Sequence, residues 1–398
     1  MQITDIRIVE LTGTIDDPEV YWEERSVHPA DDYRELRRVR EAEWPKSGDQ
    51  PYRVRLTFVE VVTDGGLVGT AGPIIPEQAW VIQRRLAPLL IGADALATER
   101  LWEIMYRSCA AHGRKGLEML AISVLDCALW DLKGRYFDVP VWRLLGGPTR
   151  ERVPAYVSTL GTSLELERAS ATAARFAKLG FGAMKWFPRF GPADGVEGLR
   201  RNVELVRVLR EAIGGDVRLM IDAWMSWDVP YTLAFAELTA DHDLYWIEDP
   251  VMPERLDGLA ELSRQLGNRP RLASGERAYT RWELEQLATA GVRVLQPEVF
   301  WSGGLSELLK MAAIASVRAV TLIPHGTSLP TSAHFAFAQP PTLVPMVEYL
   351  HRPNLTWQWF FADPVLPEDG YVYPPQRPGL GMDFDERKIE SRRELTFD

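Results

Sequence analysis

Hydrophobic positions along the chain change their spacing near residue 152. Beyond that point, short apolar runs alternate with amphipathic segments. The runs VPAYVS (153–158), GAMKWF (182–187), VRLMID (217–222), LYWIE (244–248), RLASGE (271–276), VRVLQP (292–297), AVTLIP (319–324) and LVPMVE (343–348) read as strands. Helical segments lie between them. Thr162 and Glu165 are spaced as a capping box for the first, and Gly180 supplies its stop. Eight strands alternating with helices predict a parallel α/β barrel of the (β/α) type. An open doubly wound sheet is the alternative, weakened because no glycine-rich dinucleotide fingerprint follows any strand. Before residue 152, ITDIRIVEL and RVRLTFVEVVT alternate as strands, and Asp64-Gly65-Gly66 turns the chain into LVGTAGP. Helical spacing then recurs over residues 76–134. The division expected is an N-terminal α+β capping domain (1–134), a barrel (135–365) and a loop-rich C-terminal segment (366–398) returning to the cap. A polar insertion, about 13–51, separates the first two strands. A loop that long is usually functional or disordered.

Bulk properties narrow the function. At 398 residues the chain can bury a large core, and its formal net charge of −11 argues against a nucleic-acid partner. No run of about 18 apolar residues is present, so no membrane span is expected. The start, MQITDIRIVEL, lacks a signal-peptide pattern, and two cysteines, Cys109 and Cys127, suit a reducing cytoplasm.

Three of the proposed strands close on an acid: Asp222, Glu248 and Glu276, at spacings of 26 and 28 residues. Each spacing is one strand-plus-helix unit, so the acids share one level at the C-terminal face, where barrel enzymes place their chemistry. A single acid there usually caps a helix or meets solvent. Three together would repel unless a cation joined them, and a hard divalent ion such as Mg²⁺ takes such oxygen ligands. Lys185, Glu298, His325 and Glu348 lie at the same level. His325, flanked by two acids, has the makings of a general base, whose ring a carboxylate would orient.

With these residues in view, the chain resembles the enolase superfamily, mandelate racemase branch. The resemblance rests on the ALWDLKGRYFDVPVWRLLGG segment, the three acids, and His325 in its PHG setting. Within the branch, MKWF, DAWMSWD, LQPEVFWSGGL and PHGTS are similar to acid-sugar dehydratases of the L-rhamnonate type. The resemblance implies Mg²⁺ on Asp222, Glu248 and Glu276, with His325 abstracting the C2 proton of a sugar acid. Lys185 would stabilise the developing charge, and Glu298 would orient His325 where the family usually has aspartate. Glu348 would donate to the leaving 3-hydroxyl or bind the carboxylate, and the product would be a 2-keto-3-deoxy acid. Phe187 stands where racemases of the branch carry a second lysine, and Trp224 where galactonate- and mannonate-type dehydratases carry a histidine. Tyr21, Trp22, Arg25 and His28 in the insertion, with Trp224 and Trp301, are the candidates for substrate contact, the insertion acting as a lid. The resemblance also implies a homo-oligomer, often an octamer. Competing readings are an epimerase or lactonizing enzyme, a barrel metallohydrolase, and a silent acid-sugar-binding relative.

Overall fold

The computed structural model describes residues 1–36 and 51–397. The part of the polar insertion from 37 to 50 lies outside the described residues. β1 (Ile3–Ile15), β2 (Tyr52–Thr63) and β3 (Val68–Ile74) form an antiparallel sheet, in which Ile8 faces Val59 and Leu11 faces Leu56. β1 therefore runs two residues beyond the expected start of the insertion. The helix Leu117–Tyr136 covers this sheet and is buried nearly all round, as its continuous apolar composition requires. β3 approaches it so closely that a Cβ at Gly69 would lie 2.2 Å from the Ala128 carbonyl oxygen.

Two buried acids on this helix tie the layers together. Asp131 accepts from the backbone N–H groups of Thr70 (2.8 Å) and Leu380 (2.6 Å) and from Arg135 Nε (2.7 Å). Asp126 accepts from the Ser306 amide (2.9 Å) and hydroxyl (2.6 Å), on the barrel helix Gly304–Val317.

The barrel strands are β4 (Val153–Ser158), β5 (Ala183–Trp186), β6 (Arg218–Asp222), β7 (Leu244–Glu248), β8 (Arg271–Ser274), β9 (Val294–Leu295), β10 (Thr321–Leu322) and β11 (Val347–Leu350). All pair in parallel, and β4 pairs with both β5 and β11, which curls the sheet. Among the described residues β10 and β11 do not pair; Leu322 N donates to the Leu343 carbonyl instead (2.9 Å). β12 (Tyr371–Val372) pairs with β4, and β13 (Ser391–Leu395) pairs with β1, so the loop-rich tail contributes a strand to the cap sheet.

Several local expectations need correction. β9 and β10 are two residues long, because Pro297 and Pro324 cannot donate to a ladder. The eighth strand starts at Val347, after Pro345, so Glu348 lies inside it rather than at its end. Glu276 lies two residues beyond β8. Thr162 does not cap the first barrel helix. That helix starts at Leu166, with Glu165 as an N-cap lacking a side-chain bond. Ser163 Oγ takes the Glu165 N–H (3.3 Å), and this local turn delays the helix. Gly180 does follow its end, at φ +86°.

Side chains alternate along strands, and this places the polar groups. Tyr156, Ala183, Met220, Trp246, Ala273, Val294, Ile323 and Met346 form one apolar cluster inside the barrel. Two residues after members of that layer come Lys185, Asp222, Glu248, Gln296, His325 and Glu348, all buried. The apolar layer closes the barrel, and the polar layer sits on top of it, toward the C-terminal ends of the strands.

Candidate active site

Lys185 is at the centre of the polar layer. Its Nζ lies 2.5 Å from Glu248 Oε1, 2.8 Å from Glu348 Oε1 and 3.1 Å from Asp222 Oδ2. Burial opposes its charge, but Glu248, Glu348, Tyr156 and Asp222 outweigh that and hold it well above the usual lysine range. The other oxygen of Glu248 accepts from Trp246 Nε1 (3.0 Å) and Gln296 Nε2 (2.7 Å). Burial, with Asp222 as a close like charge, pushes Glu248 well up, and burial also raises Asp222.

Glu276 reaches the same level by a different route. Gly275 turns the chain at φ +136°, and a Cβ there would meet the Gln296 amide at 2.9 Å. Glu276 Oε2 lies 3.1 Å from His325 Nε2, while Glu276 Oε1 makes no hydrogen bond and lies 3.1 Å from the Arg277 guanidinium.

His325 is held from its other side. Its Nδ1 lies 2.7 Å from Glu298 Oε2, which also accepts from Thr327 N (3.1 Å); Glu298 Oε1 accepts from Phe300 N (2.9 Å). The extra methylene of glutamate does not prevent this contact. Glu348 Oε2 is 4.0 Å from His325 Nε2 and accepts from Gly326 N (2.9 Å). Burial disfavours the imidazolium, but Glu276, Glu348 and Glu298 raise the ring's pKa to about 9.

The segment 18–32 lies across this face. Glu23 N donates to the Gly161 carbonyl (2.8 Å) and Val27 N to that of Pro188 (2.8 Å), so loops after β4 and β5 anchor it. Asp31 accepts twice from Arg25 Nη1 (both 2.9 Å) and once from His28 N (3.1 Å). Between segment and barrel is a cavity of about 230 Å³. Trp22, Arg25 and His28 line it on the cap side; Asp222, Trp224, Glu276, Trp301 and His325 line it on the barrel side. His28 and Trp224 are in ring contact at 4.9 Å. Tyr21 is not part of this wall; it is buried in the core against Tyr52. Lys185, Glu248, Glu298 and Glu348 lie beneath, fully buried or nearly so.

Several residues of the site carry no periodic signal. Arg277 and Asp249 each directly follow a ligand candidate, in SGER and IEDP, and that adjacency was the available clue. Asp249 is buried, sits at φ +38°, and burial together with Glu276 and Asp222 raises its pKa to about 7. Trp224 and Met225 are also left-handed, at φ 44° and 63°. Such backbone in non-glycine residues is costly and clusters at functional sites. Here it is knitted by Trp224 N to Asp222 Oδ1 (2.9 Å) and Met225 N to the Asp249 carbonyl (2.6 Å).

Among the described residues, no three His, Cys, Asp or Glu side chains form a ready-made metal cage. Asp222 and Glu248 close on Lys185, whereas Glu276 turns to His325 and Arg277. The donor set nevertheless fits a hard divalent cation. It is all carboxylate and buried, its acids outnumber its cations, and Glu276 Oε1 is left without a hydrogen bond.

Residues 168–388 match the family model for the enolase C-terminal domain-like region, and residues 48–146 match that for the mandelate racemase / muconate lactonizing enzyme N-terminal domain. L-rhamnonate dehydratase from Saccharopolyspora erythraea is 32% identical, over 100% of each chain. A crystal structure of L-rhamnonate dehydratase from Gibberella zeae has 33% identity and a TM-score of 0.83, covering 97% of this chain and 94% of that one. A second structure, complexed with Mg, has 32% identity and a TM-score of 0.83, covering 98% and 96%. Among the described residues no helix is long and apolar enough to cross a membrane.

Proposed function

This chain belongs to the mandelate racemase and muconate lactonizing enzyme family of the enolase superfamily, and from that premise we propose that it is a Mg²⁺-dependent dehydratase of a sugar acid, of the L-rhamnonate type. The observation that carries the reading is the His325–Glu298 pair, held at 2.7 Å at the edge of a cavity that also exposes Asp222 and Glu276. The relatives' names and the Mg complex of a structural neighbour support the same reaction class.

Asp222, Glu248 and Glu276 would hold the ion. Bound there, it supplies Lewis-acid polarisation of the substrate carboxylate. Lys185, already positioned among these acids, adds a fixed positive charge where negative charge develops as the C2 proton leaves. His325 takes that proton on Nε2, and Glu298 holds Nδ1 so that Nε2 faces the cavity. The ring must be neutral to do so. Glu276, Glu348 and Glu298 favour its protonated form, and a cation held on Glu276 would weaken that field and lower the ring's pKa. His325 then returns the proton to the departing 3-hydroxyl; Glu348, paired with Lys185 at 2.8 Å and held below the usual carboxylate range against the opposing effect of burial by Lys185 and His325, would serve as a hydrogen-bond acceptor rather than as the proton donor.

Phe187, 5.4 Å from Lys185 Nζ, supplies an apolar surface where a second base would be required for racemisation, which favours elimination. Leu160, Phe187, Leu350 and Trp357 add apolar wall to the cavity, suited to the carbon chain and terminal methyl of a 6-deoxy acid. The test is a product screen. The purified protein with Mg²⁺ is incubated with aldonic and aldaric acids, and 2-keto acid formation is assayed with an EDTA control. Metal-dependent 2-keto acid from L-rhamnonate or a close stereoisomer is the expected result. Solvent deuterium entering C2 without loss of water would replace the dehydratase reading with an epimerase.

A further inference from the structure

Arg277 lines the cavity on the barrel side, and its surroundings are unusual for a simple charge partner. Its side chain is 24% exposed, and Glu276 is the carboxylate it meets, at 3.1 Å. Its guanidinium lies 4.4 Å over the Trp301 ring, and that ring lies 5.3 Å from the His325 imidazole. Arg277, Trp301 and His325 thus form a continuous layer along one wall of the cavity. Arg277 also lines a second cavity of about 240 Å³, with Met225, Asp249 and Tyr279.

A guanidinium carries five N–H donors in a planar fork, and one carboxylate oxygen uses little of that capacity. The contact with the Trp301 ring helps to hold the group at this wall, where Arg277 lines the cavity. We propose that Arg277 is a specificity-determining residue that donates hydrogen bonds to the hydroxyl groups of the bound sugar acid, beyond its pairing with Glu276. The assignment rests on the sugar-acid dehydratase reading. It predicts preference for acids with a hydroxyl on the Arg277–Trp301 side of the cavity, because an analogue lacking that hydroxyl would leave guanidinium N–H donors without a partner.

The experiment combines steady-state kinetics on L-rhamnonate and a panel of aldonic acids with calorimetric Mg²⁺ titration, for the wild type, Arg277→Met and Arg277→Lys. Charge-assisted hydrogen bonds of this kind lead us to expect a KM increase of about 10-fold or more in Arg277→Met. The fall in kcat should be smaller, and Mg²⁺ affinity should be unchanged or tighter. Arg277→Lys, which keeps the charge but not the fork, should recover only part of the loss. If Arg277→Met does not fold, a raised KM in Arg277→Lys supports the assignment and a wild-type KM overturns it. Unchanged KM in the variants together with altered Mg²⁺ affinity would make Arg277 a counter-charge to Glu276 and nothing more. Wild-type silence across the panel would sink the dehydratase reading itself; wild-type turnover with unaltered KM in both variants would sink the Arg277 assignment alone.

Discussion

Replacing Glu298 with aspartate tests the pairing at His325 by moving one carboxylate and leaving its charge. Glu298 reaches His325 Nδ1 at 2.7 Å from fully buried backbone. Removing one methylene withdraws the carboxylate by about 1.5 Å, to a separation of about 4.2 Å, beyond hydrogen-bond reach. A hydrogen bond to a charged group contributes about 1.5–3 kcal/mol, so kcat/KM should fall roughly 10- to 150-fold if the pairing orients the base. The same retraction strands the amides of Phe300 and Thr327, now bonded to Glu298 at 2.9 and 3.1 Å. Each orphaned amide costs about 1–3 kcal/mol of stability, which a thermal melt reads separately from turnover. The assay is 2-keto acid release under saturating Mg²⁺, compared at matched fractions folded. Wild-type kcat/KM in a fully folded Glu298→Asp variant would refute the orienting role, and with it the argument that glutamate is required here by the reach from this backbone.

Further expectations can be checked in parallel. His325→Asn should remove the base and cost about 10²–10⁴-fold in turnover, with sugar-acid affinity by calorimetry largely retained; substantial turnover would exclude His325 as base. Asp222→Asn, Glu248→Gln and Glu276→Gln should each weaken Mg²⁺ binding, and EDTA should abolish turnover; unaltered metal affinity in all three would remove the proposed ligand set. Asp126 is fully buried, and burial raises its pKa from 3.8 to about 7. Its protonated form is therefore favoured in the fold, so stability is greatest below about pH 4 as far as this group is concerned. It declines by about 1.4 kcal/mol per pH unit until pH passes 7. Asp126→Asn should flatten that slope in melts between pH 5 and 8, and an unchanged slope would place the ionisation elsewhere.

How far the site could be read in advance follows from how each residue reaches it. Lys185, Asp222, Glu248 and Glu348 stand on strand positions two residues beyond inward apolar ones, and His325 keeps that spacing from Ile323 just past the end of β10, so a period of two brings them to one level. The strand count came from the same period, but strand lengths did not. Pro297, Pro324 and Pro345 interrupt pairing inside runs whose hydrophobicity continues past them. Glu276 reads from the sequence as the end of a strand, but β8 stops at Ser274. In fact the left-handed turn at Gly275 delivers it, and only the glycine in SGE announces this.

The cap side of the cavity illustrates the limit of local pattern. Trp22, Arg25 and His28 meet Trp224 and His325 only because residues 18–32 are pinned by contacts distant in sequence: Glu23 to Gly161, Val27 to Pro188, and Arg352 to Glu23 Oε2 at 2.7 Å. No periodicity encodes a pairing 329 residues apart. The same reasoning separates Tyr21 from Trp22. Adjacent residues in an extended segment point to opposite sides, and here one side is the core and the other the cavity. The polar layer on the barrel strands is thus readable from period and residue type, while the cap-side wall of the cavity is assembled by tertiary contacts on loops. The proposed selection of one sugar acid over another therefore falls to the loop residues. In this chain the residues that would decide the matter are Arg277 and Trp301 on the barrel wall and Arg25 and His28 on the segment that covers it.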